Sequence, residues 1–217
     1  MSRAPRLSGV ALFHPPGKNE IMPQSMHPRS IKPAALLLLC LLTVSSLSPA
    51  QKDSIAQPAG TSLAHFAQID SRVFVGSKPR TDKDFEFLQS QHVKYILNAK
   101  FLPLLSCLEK RKAERYGMVF LSVPMNASPI PPSEKHVDKI LLTMNNPRFQ
   151  PIYLHCVLGR DRTSLISGLY KIYFLDVSKS DAWREMKESD FRTSWFLHGL
   201  KAYFDKHSSR PPALPAH

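Results

Sequence analysis

Between residues 72 and 155, short runs of β-branched and aromatic residues alternate with stretches whose apolar positions recur every three or four residues, which predicts strands alternating with helices. Arg72-Val-Phe-Val75 is the first strand expected. Thr81-Asp-Lys-Asp84 supplies a capping box for a helix running through Gln91. Val93-Lys-Tyr-Ile-Leu97 predicts the next strand, and a Leu-rich helical pattern follows from about Leu104 to Tyr116, with Gly117 as its C-cap. Met118 to Val123 reads as a third strand. Beyond the turn-forming Pro124-Met-Asn-Ala-Ser-Pro-Ile-Pro-Pro132, the residues Val137, Ile140, Leu141 and Met144 share one helix face and are expected in the core. Pro151-Ile-Tyr-Leu-His155 is the fourth strand. Helical patterns fill the remainder; Ser178 and Asp181 cap one of them, and Trp183, Trp195 and Phe196 are expected to pack in the core. This alternation predicts an α/β fold with a central, mostly parallel sheet of four to five strands flanked by helices on both faces.

The ends of the chain have a different character. A basic stretch ending Arg29-Ser-Ile-Lys32 precedes the apolar run Ala34 to Val44 and then Ser-Ser-Leu-Ser-Pro-Ala50, the order of an export signal. The apolar run is about half of the roughly 20 residues that span a bilayer. Residues 1–50 are therefore expected to be a signal peptide cleaved near Ala50, giving an exported protein, periplasmic or secreted, with no stable membrane span. The polar, Pro- and Gly-containing residues 51–61 read as a linker, 62–207 as one folded domain, and 208–217 as a flexible tail.

Charge narrows the partners. Lys and Arg exceed Asp and Glu by 29 to 17; five of the basic and one of the acidic residues lie in the first 50, so the rest carries 24 against 16, a surplus of eight. That favours an anionic partner. No basic stripe interleaved with aromatics marks nucleic acid, which leaves phosphorylated molecules and membrane surfaces. Only Cys107 and Cys156 lie beyond residue 50, too few for a disulfide scaffold.

The strand ending at His155 runs directly into Cys156-Val-Leu-Gly-Arg-Asp-Arg162, after which a helix is expected. In open α/β sheets, ligands bind beyond the carboxyl ends of strands. A phosphoryl group spreads charge over several oxygens, so it needs preorganised donors around it. A tight loop turning its amides inward at a helix N-terminus supplies them, with Val157, Leu158, Gly159 and Arg160 as the substrate-binding stretch. Gly159 permits the close approach or unusual torsion of such a turn, and the Arg162 fork matches two phosphate oxygens. The same positive field stabilises a Cys156 thiolate, the competent nucleophile for a phosphocysteine pathway. His155 is placed to orient the loop, and the Thr163 hydroxyl to donate to the departing thiolate.

His155 to Thr163 resembles the signature loop of the protein tyrosine and dual-specificity phosphatase superfamily, particularly bacterial members with an Asp just before the loop arginine. The resemblance extends from about Val73-Phe-Val-Gly-Ser-Lys-Pro79 to the helices near Phe204. It implies a dual-specificity-phosphatase-like fold and hydrolysis of phosphomonoesters without metal or cofactor, on a phosphorylated protein or a small-molecule or lipid phosphate, by a monomer. Relatives usually carry a general-acid Asp on the loop after the third strand, where this chain has Asn126-Ala127. The resemblance passes that role to Asp161, whose alternative is to organise the loop by hydrogen bonding. A basic residue at 160 resembles bacterial phosphatases that accept phosphoinositides; its alternative is a solvated charge. Lys78, Arg80 and Lys100 follow strand ends and are candidates for the same rim. Cys107 is expected as a small buried residue on the Leu-rich helix, and His92, His136 and His198 have no metal-ligand spacing. A phosphate-binding protein without turnover is the competing function, and a rhodanese-like sulfur transferase a third.

Overall fold

The computed structural model describes residues 57–101 and 106–209; the expected leader and most of the tail lie outside them. Five strands form one sheet in the order β1-β2-β5-β3-β4, with β1 Ala67–Asp70, β2 Val73–Gly76, β3 Tyr95–Asn98, β4 Val119–Ser122 and β5 Ile152–His155. β1 pairs antiparallel with β2 and every other pairing is parallel, as the alternation of strands and helices requires. Among the described residues six α-helices accompany it: α1 Asp82–Ser90, α2 Cys107–Arg115, α3 Glu134–Asn145, α4 Asp161–Phe174, α5 Lys179–Glu188 and α6 His198–His207.

Alternation along the buried strands divides the core in two. Val73, Val75, Leu97, Ile152 and Leu154 face α3, α4, α5 and α6 together with Val137, Ile140 and Leu141. Phe74, Ile96 and Tyr153 face the other way, against Phe85 and Leu88 of α1 and Ala113 of α2. The parity of β5 therefore sends His155 to the same side as Tyr153, whose ring lies 6.0 Å from it, nearly parallel. Thr81 caps α1 through the expected box, and the Ser178 hydroxyl accepts from the Asp181 amide at 3.1 Å to start α5.

One strand adds to the four that the alternation located, within the four to five expected, and two other expectations need correction. β1 was not foreseen; Ala67-Gln-Ile-Asp70 is a short edge strand with a bulge, too brief for its alternation to stand out. Trp195 and Phe196 are 80% and 51% exposed rather than core, because they form a short 3-10 turn ahead of α6 instead of lying on its packed face. Cys107 is exposed, since α2 turns Glu109 and Ala113 inward and its first two residues, Cys107 and Leu108, outward. Among the described residues no helix is long and apolar enough to cross a membrane.

Candidate active site

In the sheet register, Gly76 stands opposite His155, His155 opposite Asn98, and Asn98 opposite Ser122. Four parallel strands thus end level, and the loops that follow them share one edge. Residues 156–160 leave the middle strand there and enter α4, whose N-cap residue Arg160 makes no side-chain capping bond. The first-turn amides of α4 remain available to an anion.

Close packing sets the loop. Gly159 has φ +79°, and a Cβ there would lie 2.5 Å from the Gly76 carbonyl carbon and 2.9 Å from its oxygen. Only glycine meets both conditions. The Lys78 amide donates to the Val157 carbonyl at 3.2 Å, tying the loop to the chain leaving β2. That segment is held in turn by the Tyr153 hydroxyl, which donates to the Ser77 carbonyl at 2.6 Å, and by the Ser77 hydroxyl, which accepts from the Ala64 amide at 2.9 Å.

Cys156 is buried at the mouth of α4, 2% exposed. Arg162 donates to the Met125 carbonyl at 3.3 Å, while its Nε is buried without a hydrogen-bond partner among the described residues. The Thr163 hydroxyl is buried and unpartnered in the same way. Unpaired buried donors are costly and rare, and two of them in adjacent residues at a helix N-terminus match a site built for an oxyanion.

Beneath the loop lies a group that sequence reasoning missed. His155 Nδ1 stands 2.8 Å from the Cys156 carbonyl, which can only accept, so Nδ1 donates. His155 Nε2 is 2.7 Å from Glu109 Oε1, and Glu109 Oε2 accepts from Lys100 Nζ at 2.7 Å, with Lys78 Nζ at 3.7 Å. Burial pushes the Glu109 carboxyl upward, but His155 and Lys100 outweigh it, and the net shift is downward. Glu109 Oε1 and His155 Nε2 thus stand within ion-pair distance although their geometry makes no hydrogen bond, and His155 Nδ1 ties the ring to the backbone of the nucleophile. Asn98 shapes the turn that delivers Lys100, accepting from the Lys100 amide at 2.9 Å. Lys100 is consequently a buried partner of Glu109, 8% exposed, and not a rim cation.

Asp161 and Arg160 lie beside the loop. Asp161 Oδ2 is 3.4 Å from Arg160 Nε, and Asp161 Oδ1 accepts from the Arg192 amide at 3.2 Å. Arg160 also reaches Asp190 Oδ2 at 2.9 Å. Both Asp161 oxygens thus face donors, the environment of an organising carboxylate, and Arg160 is held between two carboxylates. Val157 and Leu158 point outward from the loop, 39% and 44% exposed. On the loop after β4, Asn126 donates to the Ser128 hydroxyl at 3.1 Å, and no carboxylate occurs between residues 116 and 133. Among the described residues, no three His, Cys, Asp or Glu side chains are grouped so as to hold a metal ion.

No family model and no curated protein sequence matches the chain. Solved structures do match in fold. The core catalytic domain of the PP-IP phosphatase Siw14 from S. cerevisiae, crystallised with citrate, aligns at a TM-score of 0.54 and 22% identity over 67% of this chain and 88% of its own. TpbA from P. aeruginosa in complex with pTyr aligns at 0.56 and 18% identity, over 74% and 90%. Tk-PTP in its active form aligns at 0.55 and 15% identity, over 67% and 97%. The chain has the fold of cysteine phosphatases. That is the α/β architecture expected of the sequence.

Proposed function

We propose that this protein is a cysteine-dependent phosphomonoester hydrolase working through a phosphocysteine on Cys156. The observation that carries the reading is the buried, unpartnered Arg162 Nε six residues after the buried Cys156, on a loop closed by Gly159. Arg162 and the α4 amides hold the phosphoryl oxygens while Cys156 Sγ attacks phosphorus in line. The S–P bond forms as the bond to the leaving oxygen breaks. Water then attacks phosphorus, the S–P bond breaks, and inorganic phosphate leaves with the thiolate restored, aided by a hydrogen bond from Thr163. Solved proteins of the same fold include a PP-IP phosphatase and one seen with pTyr, in keeping with substrates of either kind.

Asn126-Ala127 stands after β4 and both Asp161 oxygens face donors, so we read the described residues as lacking a positioned acid and weakly basic leaving groups as favoured. The same observation motivates the competing reading, a phosphate-binding protein without turnover. Export is part of the proposal and rests on the leader-like order of residues 1–50. The test is hydrolysis of a small aryl phosphate with a chelator present. Wild type turns it over, and Cys156→Ser loses turnover while retaining phosphate binding. An inactive wild type across pH and substrates would sink the enzyme reading, and activity surviving in Cys156→Ser would sink the mechanism.

A further inference from the structure

Eight large apolar side chains are exposed among the described residues: Val119 opens β4, five lie in the segments that leave the carboxyl ends of β3, β4 and β5, and two, Trp195 and Phe196, precede α6. Scattered exposed apolar residues need no explanation, but one-sided clustering does. Val157 and Leu158 stand on the loop itself, and Phe101 and Leu108 follow β3. The other three project further: Ile130 is 72% exposed, Trp195 80% and Phe196 51%.

Two contacts place these three beside the loop. The bond from the Arg192 amide to Asp161 fixes the segment ahead of Trp195 to the first turn of α4. Gly199, the second residue of α6, approaches residues 128–130 so closely that a Cβ on it would lie 2.6 Å from the Ser128 carbonyl oxygen, which brings the turn Trp195–Leu197 alongside Ile130. The Trp195 and Phe196 rings meet edge to face at 5.8 Å and form one aromatic ridge.

The surroundings are basic. Arg80, after β2, and Arg192 are exposed, Lys78 is partly so, and the chain beyond residue 50 carries a surplus of eight positive charges. The nearby carboxylates Asp161 and Asp190 are tied to Arg160. Aromatic rings settle at the headgroup level of a bilayer, and cations around them draw anionic lipid.

We propose that this edge docks on an anionic membrane surface, with Trp195, Phe196 and Ile130 seated among the headgroups, so that the loop meets phosphomonoesters carried on lipids. The substrate half of the proposal rests on the phosphatase reading; the docking half does not. A second copy of this chain would set like charge against like. A peptide would call for a lined groove, whereas exposures of 72% and 80% describe projecting side chains.

The test is co-sedimentation of the full chain with vesicles of phosphatidylcholine containing phosphatidylserine, beside vesicles of phosphatidylcholine alone. Wild type partitions onto the anionic vesicles, and Trp195→Ala with Phe196→Ala weakens this by about tenfold or more. Ile130→Ser weakens it less and serves as the second variant. In a Trp183→Phe background, brominated acyl chains quench the fluorescence of Trp195. Hydrolysis of a soluble aryl phosphate is unchanged in the double variant, while hydrolysis of a vesicle-borne phosphatidylinositol phosphate falls. Vesicle binding is read without turnover, so failure of the phosphatase reading leaves the docking result standing on its own. Absence of wild-type binding to anionic vesicles, or equal binding by the double variant, overturns the proposal. So does a double variant that keeps vesicle binding but loses self-association or affinity for a phosphotyrosyl peptide.

Discussion

Glu109 and Asp161 each hold a basic residue against the loop at 156–162, one in the dry interior and the other at a wetter edge. Glu109 is 3% exposed and has three basic side chains around it, His155 and Lys100 at 2.7 Å and Lys78 at 3.7 Å. Asp161 sits in the first turn of α4, partly exposed, with Arg160 at 3.4 Å and a backbone amide at 3.2 Å. In the interior a charge has no water to fall back on, so the Glu109 group holds only as a set; at the edge, solvent replaces whatever is removed. The contrast assigns rigidity beneath Cys156 to Glu109 and adjustment around the substrate to Asp161 and Arg160.

The largest expected effect breaks the interior set. Glu109→Gln leaves Lys100 buried without its counter-charge and destabilises the fold by about 3–5 kcal/mol, measured by urea unfolding. Adding Lys100→Met recovers part of that loss, because it removes one stranded cation. A double variant no more stable than Glu109→Gln alone would refute the pairing.

Why the sequence did not reveal this group follows from α2. The Leu-rich stretch from about Leu104 pointed to a helix here, but the inward face of α2 is set by Glu109 and Ala113, and a glutamate between Leu108 and Lys110 reads as solvated. The available signal was Lys100, a cation two residues beyond an apolar strand, with a glutamate following on the next helix. Cys156, Gly159 and Arg162 were legible because the chemistry of a phosphate loop fixes residue type and spacing within one short stretch. The strand-helix order was legible for the same reason, since periodicity is local. Trp195 and Phe196 were misjudged because their exposure depends on where α6 meets residues 128–130, a contact between distant segments.

A smaller effect comes from acid. Glu109 is held below its ordinary value in the folded protein, so it binds fewer protons there than in the unfolded chain. Its contribution to stability is full above its unfolded value of about 4.3 and is lost as pH falls through the folded value. Asp84 is shifted in the same direction: burial opposes the shift, but the amides of Thr81, Arg80 and Ser62 outweigh it. Wild type should therefore lose stability from about pH 4 downward, and Glu109→Gln should lose less over that range. Parallel curves for the two proteins would show that Glu109 is not shifted.

The smallest structural effect concerns Asp161. Its partners are one long ion pair and one backbone amide at a partly solvated helix terminus, so Asp161→Asn should cost about 1 kcal/mol in urea unfolding. Kinetics distinguish its two roles. An organising carboxylate positions the loop for every substrate, so Asp161→Asn should slow aryl phosphates with good and poor leaving groups by the same factor, about tenfold or less. A proton donor would instead be needed most where the leaving oxygen is most basic, and the variant would then lose the poor leaving group disproportionately. Equal loss places Asp161 with Arg160 in holding the loop's edge, and leaves wild type itself with a steep dependence on leaving-group basicity, as expected of a site without a positioned acid.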